Sequence, residues 1–159
     1  MYHLTEAYLM ASLICLTAGY LGALVFGSGV VAPLVVRTLG EQTGGRLLRA
    51  YWPRYHGFAV VAGTLIMLFT AFGSAFSAVP SVYALLVVSL SGLMTLCFLA
   101  GWRLIPAINR ARDEDNQAAF VRLHRLDVVL VTCGMLFALA VVVALVYVLP
   151  GQFTFWPTA

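Results

Sequence analysis

Long uncharged stretches, separated by a few charged positions, dominate this chain. Thirty uncharged residues lie between Glu6 and Arg37, 48 lie between Arg54 and Arg103, and 32 follow Asp127. A helix needs about 20 apolar residues to cross the hydrocarbon of a bilayer. The pattern therefore predicts one transmembrane helix in the first stretch, two joined by a tight turn in the second, and one in the third. The predicted helices cover residues 8–36, 56–78, 81–102 and 128–149.

The apolar runs favour helices over the strands of a membrane barrel. Barrel strands alternate apolar and polar residues over about ten positions, whereas the run from Ala138 to Leu145 is apolar throughout. A helix also satisfies its own backbone hydrogen bonds within hydrocarbon. The predicted fold is an all-α integral membrane protein, a four-transmembrane-helix bundle that forms a single domain over residues 1–159.

Composition agrees with a membrane location. Hydrophobic residues make up 62% of the chain and charged residues 9%, whereas soluble domains carry roughly 25% charged residues. This balance excludes a soluble domain, a disordered chain and a nucleic-acid-binding protein. The lipid bilayer is the expected partner. Association between copies, or with a larger membrane complex, is also expected, because small-x-x-x-small spacings let helices approach closely; examples are Ala18 to Gly22, Ala59 to Gly63 and Gly134 to Ala138.

The basic residues predict an orientation. All nine are arginines, and they lie in only two segments, residues 37–54 and 103–125. Basic residues accumulate on the cytoplasmic side of membrane proteins. We therefore predict a bacterial-type inner-membrane protein whose termini are both on the outer side and whose cytoplasmic loops are residues 37–55 and 103–127. The positive net charge of these loops favours contact with anionic lipid head groups.

Both loops are predicted to contain amphipathic helices. In the second, the run Asp113-Glu114-Asp115 is expected to start a helix, because acidic groups complement the positive end of the helix dipole. That helix is expected to run directly into the fourth transmembrane helix. Within the first transmembrane helix, the segment from Gly27 to Pro33 is the expected place of a bend, since glycine loosens a helix and proline removes a backbone donor.

The two loops contain the same motifs in the same order. Pro-x-x-x-Arg occurs from Pro33 to Arg37 and again from Pro106 to Arg110, and Arg-x-His closes each loop at residues 54–56 and 122–124. The shared order favours two tandem helical hairpins that arose by duplication and are related by an axis along the membrane normal. Coincidence is the alternative, because only four positions match.

Candidate chemistry is confined to a few side chains near the cytoplasmic boundary. His124 and Asp127 are spaced i, i+3 and share a helix face, where a carboxylate would fix the tautomer of an imidazole and raise its basicity. If the hairpins are duplicated, His56 and His124 approach each other and form a two-histidine site. One alternative is that the histidines only anchor the helices at the interface. Another is a structural polar cluster that ties the loops to the bundle, formed by Arg54, Asn109, Arg122 and Asp127.

The cysteines offer a second candidate site. All three lie in apolar segments, so no disulfide framework is indicated. Cys97 and Cys133 lie at comparable depth in the third and fourth predicted helices. Because soft sulfur ligands suit copper(I), the candidate metal ligands are His56, His124, Cys97 and Cys133. The alternative is that both cysteines are small apolar core residues.

Several short strings resemble one known family. They are Val31-Ala32-Pro33 before Arg37-Thr38-Leu39, Gly45-Arg46-Leu47-Leu48 before Trp52-Pro53-Arg54-Tyr55, and Pro106 with Asn109 before Phe120 and Leu123-His124. From about Gly19 to Leu130, this arrangement resembles the transmembrane protein 205-like family, also known as domain of unknown function 4149. The resemblance implies a small four-helix membrane protein without an established activity. In layout, the chain is distantly similar to copper-resistance D-like membrane proteins and to the bacterial membrane protoporphyrinogen oxidase. Asp127 departs from the family, where a small hydroxyl residue is expected.

The expected function is non-enzymatic. We expect an accessory subunit or a small transport or resistance factor without a cofactor, because the sequence shows no activated nucleophile, paired carboxylates or phosphate-binding loop. The alternative is a haem- or metal-binding membrane redox protein that holds haem or copper through His56 and His124. A third hypothesis is an interaction module that recruits a partner to the cytoplasmic face through Arg46, Arg49 and Arg112.

Overall fold

The computed structural model describes residues 2–75 and 81–152, with side chains over residues 8–73 and 82–146. This part of the chain is helical apart from a short turn before the last helix. Helix α1 covers Tyr2–Phe26, a π-helical turn covers Gly27–Val31, α2 covers Ala32–Ala75, α3 covers Ser81–Asp113 and α4 covers Gln117–Gln152. The predicted end of the second transmembrane helix at residue 78 lies outside the described residues.

Within the described residues, three segments are long and apolar enough to cross a membrane: Tyr8–Gly73, Val82–Asp113 and Gln117–Val146. The first segment contains the first predicted helix and the second one up to residue 73. It does not run straight, because Gly40 has φ 72° and ψ 169°, a backbone conformation essentially restricted to glycine. The hydroxyl of Tyr20 donates to the carbonyl of Ala59 over 3.1 Å. The chain after Gly40 therefore folds back along α1.

The bend predicted in the first helix is found as the π-helical turn, where the N–H of Ala32 donates to the carbonyl of Gly27. Two side-chain hydroxyls donate to one backbone carbonyl beside this turn. Ser28 donates to the carbonyl of Leu24 over 2.9 Å, and Tyr55 donates to the same carbonyl over 3.0 Å. Side-chain hydroxyls of this kind satisfy backbone groups where a helix departs from regular geometry. The turn matters for the site because π-helical turns occur frequently next to functional residues.

Helices α3 and α4 extend well beyond the predicted transmembrane spans. Helix α3 continues past residue 102 to Asp113, with Pro106 inside it, so most of the predicted loop 103–127 is helical. The acidic run 113–115 does not start a helix as predicted, because it closes α3 and Asp115 turns the chain with φ 51°. Helix α4 begins instead at Gln117, directly after Asn116, whose side-chain oxygen accepts the N–H of Ala119 over 3.1 Å. An asparagine at this position satisfies a helix donor that has no partner within the helix.

The core lies where α3 packs against both α2 and α4, with α1 against α2 and α4. Its largest fully buried side chains are Phe98, Leu13, Leu24, Ile66, Met94 and Leu145. The outer surface is also apolar, since Val82 is 76% exposed and Leu85 is 70% exposed. Large exposed apolar surfaces of this kind mark contact with a membrane or a partner.

Two of the small-residue spacings bring helices into close contact. A Cβ at Gly63 would lie 2.6 Å from Thr95 Oγ1, and one at Gly134 would lie 2.5 Å from Phe98 Cε2. In contrast, a Cβ at Gly22 would meet nothing within 4 Å. The spacing that contains Gly22 therefore faces outward, whereas the other two hold the helices together.

Candidate functional site

A histidine and an aspartate from different helices meet inside the protein. His56 of α2 is fully buried and Asp127 of α4 is 7% exposed. The Nε2 atom of His56 lies 3.1 Å from Oδ1 of Asp127, and the Nδ1 atom lies 3.0 Å from the carbonyl oxygen of Trp52. Both ring nitrogens of His56 are therefore engaged in hydrogen bonds.

These two contacts determine how protons are arranged on the pair. A carbonyl oxygen only accepts hydrogen bonds, so Nδ1 of His56 carries a hydrogen and donates it to Trp52. The remaining bond joins Nε2 to the carboxyl group of Asp127, and it also needs one hydrogen. That hydrogen belongs either to an imidazolium beside an ionised carboxylate or to a carboxylic acid beside a neutral imidazole. The pair has zero net charge in both arrangements, which is compatible with burial.

The pair lies directly on the backbone of α3. A Cβ at Gly101 would lie 2.7 Å from Oδ1 of Asp127 and 2.7 Å from Nε2 of His56, so only glycine leaves room for the bond. Aromatic rings surround the imidazole, with Phe98 at 6.1 Å and Trp52 at 6.3 Å between ring centroids. The imidazole is therefore fully buried among these rings.

His124 has different surroundings from His56. It is exposed, and its ring stacks on Phe120 with a centroid distance of 5.6 Å and an interplanar angle of 7°. His124 and Asp127 do share a side of α4, because both line the cavity described below. The carboxylate that was expected to orient His124 nevertheless bonds to His56, since Asp127 points inward to α2 and α3.

The other predicted polar residues are distributed over separate places. Asn109 lines the same cavity as Asp127. Arg54 is exposed and donates to the carbonyl of Ala50 over 2.6 Å. Arg122 lies in a shallow pocket on α4 that includes neither Asn109 nor Asp127.

Both predicted metal-binding cysteines, Cys97 and Cys133, are partly buried. Within the described residues, no group of three or more His, Cys, Asp or Glu side chains is placed to hold a metal ion. His56 would also have to give up one of its two hydrogen bonds to coordinate one.

A cavity of about 710 Å³ lies next to the pair. Its walls come from the π-helical turn, α2 on both sides of Gly40, the end of α3 and the beginning of α4. Most of the lining is apolar, and the charged and polar side chains that line it are Ser28, Arg37, Arg49, Trp52, Asn109, Arg112, His124, Asp127 and Thr132. Asp127 therefore connects the cavity to the buried histidine.

A family model described as a domain of unknown function, DUF4149, matches residues 15–117. The chain belongs to this family. No curated protein and no solved structure matches the chain. The match includes His56, Gly101 and Asn109 but ends before His124 and Asp127, although the resemblance seen in the sequence extended to Leu130. Of the buried pair, His56 therefore lies within the matched region and Asp127 lies beyond its end.

In this DUF4149 chain, two parts of the site were not identified from the sequence. Gly101 is one of 14 glycines, and no motif marks it as the contact of the pair. Its place before Trp102, near the end of a predicted helix, was a weak signal. Arg37 closes a Pro-x-x-x-Arg motif and Arg112 was named only as a possible partner-binding residue, but their common position at one cavity depends on how the helices fold back.

Proposed function

We propose that this DUF4149 chain is a four-pass protein of a bacterial-type inner membrane, with both termini outside and the arginine-bearing segments in the cytoplasm. The break at Gly40 supports two passes within Tyr8–Gly73. A straight helix of those 66 residues would be about 99 Å long at about 1.5 Å per residue, which is far longer than the hydrocarbon thickness of about 30 Å. The distribution of the arginines supports the orientation.

Site-specific labelling tests this topology. After the native cysteines are replaced by alanine, the substitution Gln42→Cys places a single thiol beside Gly40. We expect a membrane-impermeant maleimide to label it only from the cytoplasmic side. The matched variant Thr5→Cys should react only from the outer side. Labelling of both variants from the same side would refute the four-pass arrangement.

For activity, we propose a non-enzymatic small transport or resistance factor, or an accessory subunit, that binds a small ligand at its cytoplasmic side. The observation that carries this proposal is the cavity of about 710 Å³, because ligand sites typically measure about 300–1,000 Å³ and combine apolar walls with a few fixed polar groups. The hydroxyls of Ser28 and Thr132 in the cavity wall donate to backbone carbonyls of their own helices. Each hydroxyl oxygen can still accept a hydrogen bond from a ligand.

Co-purification tests the ligand-binding function. Ala32 lines the cavity, and the substitution Ala32→Phe would fill part of it, whereas Ala18→Phe adds the same ring at an exposed position on α1. We expect mass spectrometry to find small molecules bound to the wild type and to A18F but not to A32F, with unchanged helix content by circular dichroism. Equal amounts of ligand on A32F would place the ligand elsewhere, and chemical conversion of the ligand by the purified protein would contradict a non-enzymatic role.

The alternative function, a haem- or metal-binding redox protein, remains a second proposal. Two partly buried free cysteines, Cys97 and Cys133, and two histidines support it, whereas binding a metal at His56 would break one of that residue's hydrogen bonds. We expect the purified protein to be colourless and free of metal. Stoichiometric haem or copper, detected by absorption or elemental analysis, would favour the redox function. It would also favour a relationship to copper-resistance D-like proteins over a relationship to the transmembrane protein 205-like family.

A further inference from the structure

Three arginines converge on one end of the cavity. Arg37, Arg49 and Arg112 come from three different helical segments, and we refer to them as the cationic end. Arg49 forms a salt bridge of 2.6 Å with Asp113, and Arg112 lies 3.8 Å from Glu41. Arg37 has no salt bridge within the described part of the chain. Three cations facing two acids leave this end with one excess positive charge.

Arg112 is held in position before any ligand arrives. Its guanidinium lies over the ring of Phe120, 5.5 Å from the centroid, a distance at which cation–π attraction operates. A Cβ at Gly45 would lie 3.2 Å from Nη2, so the guanidinium rests against the backbone there. Its acidic neighbour Glu41 has a side chain that is 90% exposed. Exposed ion pairs contribute little, so an incoming anion can replace this glutamate at low cost.

Beyond Asp127, the wall of the cavity is mainly apolar. Along α4, the lining continues from Val128 through Val131 to Met135, and the hydroxyl of Thr132 between them donates to the carbonyl of Val128. This stretch of helix is about 10 Å long at about 1.5 Å per residue. Apolar side chains of α2 and α3, including Ala32 and Ile105, face it. A charged end followed by an extended apolar wall is the shape of an amphiphile.

The single carboxylate among the lining residues does not oppose an anion. Asp127 is bonded to His56 at 3.1 Å, and the pair is neutral wherever its shared hydrogen lies. The wall beside the ligand therefore adds no net negative charge to the excess positive charge of the cationic end.

We propose that the cavity binds a single-chain amphiphile with one anionic head group, such as a long-chain carboxylic acid. The head lies between Arg37 and Arg112, and the chain lies along the apolar wall of α4. This assignment names the ligand class for the function proposed above and rests on it. A monoanion matches the single excess charge, and guanidinium groups bind carboxylate in a two-pronged geometry.

Photocrosslinking in phosphatidylcholine vesicles tests the proposal. The probes are diazirine-bearing palmitic acid, the matched diazirine-bearing hexadecanol, and diazirine-bearing phosphatidic acid, with labelled peptides identified by mass spectrometry. We expect palmitic acid to label the segment from Val128 to Met135, and hexadecanol to label it about tenfold less. The double variant Arg37→Gln/Arg112→Gln should lower the labelling by palmitic acid about tenfold, a modest factor for two partly exposed arginines. The control Arg122→Gln/Arg125→Gln changes the same charge outside the cavity and should leave the labelling unchanged.

Competition on the wild-type protein gives a measurement that needs no variant. Unlabelled palmitate should suppress the labelling, and unlabelled hexadecanol should not. Equal labelling by acid and alcohol would overturn the assignment of an anionic ligand while leaving a ligand-binding cavity intact. Preferential labelling by phosphatidic acid would overturn the single-chain assignment in favour of a bilayer lipid. Failure of every probe to label the cavity, together with no co-purifying ligand, would overturn the ligand-binding function itself.

Discussion

A methyl group added at Gly101 is the most direct test of the buried pair. In Gly101→Ala, the new Cβ would lie 2.7 Å from Oδ1 of Asp127, 2.7 Å from Nε2 of His56 and 3.0 Å from Cδ2 of the same ring. Contacts this short require something to move. The imidazole is fully buried, so it cannot turn outward, and the carboxylate can avoid the methyl group only by turning into the cavity and away from His56.

The expected cost follows from the three changes that the methyl group makes. Separating the two side chains removes a hydrogen bond between groups that can carry charge, worth about 1.5–3 kcal/mol. Adding a methyl group to a packed interior costs about 1–3 kcal/mol. Alanine regains up to about 1 kcal/mol over glycine in a helix. The free energy of unfolding should therefore fall by about 2–5 kcal/mol for Gly101→Ala.

Reversible unfolding in mixed micelles, followed by circular dichroism, measures this change. The matched control is Gly92→Ala on the same helix, where the Cβ would meet only Met67 Sδ at 3.8 Å; it should be neutral or slightly stabilising. A double-mutant cycle adds specificity, because Gly101→Ala should cost much less when His56 is already alanine. If Gly101→Ala and Gly92→Ala have the same effect, or if the cost is unchanged without the imidazole, the pair does not have the geometry described.

Three further substitutions probe the same interior by the same measurement. Asp127→Asn should cost less than about 1.5 kcal/mol because its amide N–H can donate to Nε2 of His56, whereas Asp127→Leu should cost about 3–5 kcal/mol by leaving Nε2 of the buried imidazole without a partner. Equal costs would argue against the bond. Gly134→Ala should cost about 1–3 kcal/mol through overpacking, and a neutral result would contradict the close contact with α3. Tyr55→Phe should lower the free energy of unfolding by only about 1 kcal/mol, since the hydroxyl of Ser28 still donates to the carbonyl of Leu24. A larger loss would show that the tyrosine hydroxyl stabilises the fold in a further way.

Local features of the fold were predictable where a single segment determines them. The uncharged stretches predicted helices apolar enough to cross a membrane, and the described residues contain three such segments. The glycines before Pro33 predicted an irregular place in the first of them. The extent of the helices was not predictable from charge alone. Arginines end an apolar run, but arginine is a good helix former, so α3 continues through Arg110 and Arg112 to Asp113. The turn lies instead where Asp115 and Asn116 supply an unusual backbone angle and a cap.

The candidate site was predictable in its residue types and not in its pairing. His56, Asp127 and Asn109 all stood out as polar groups near apolar segments. The i, i+3 spacing paired Asp127 with His124, because that spacing describes contacts within a single helix. The observed partner is 71 residues away in sequence, and the contact depends on how closely α2, α3 and α4 approach. Gly101 allows this close approach. Because glycine has no side chain, nothing in the sequence marks it as part of the site.

The two Arg-x-His motifs also show why repeated sequence does not imply repeated chemistry. His56 is fully buried and His124 is exposed. The position three residues after His124 is Asp127, whereas the corresponding position after His56 is Ala59, which is fully buried in the core. The carboxylate is therefore present only in the second half of the chain, and it bonds to the histidine of the first half. A hydrogen bond of this kind joins the two halves through their buried faces and leaves His124 available to the cavity, so that one histidine holds the helices together while the other can contact a ligand.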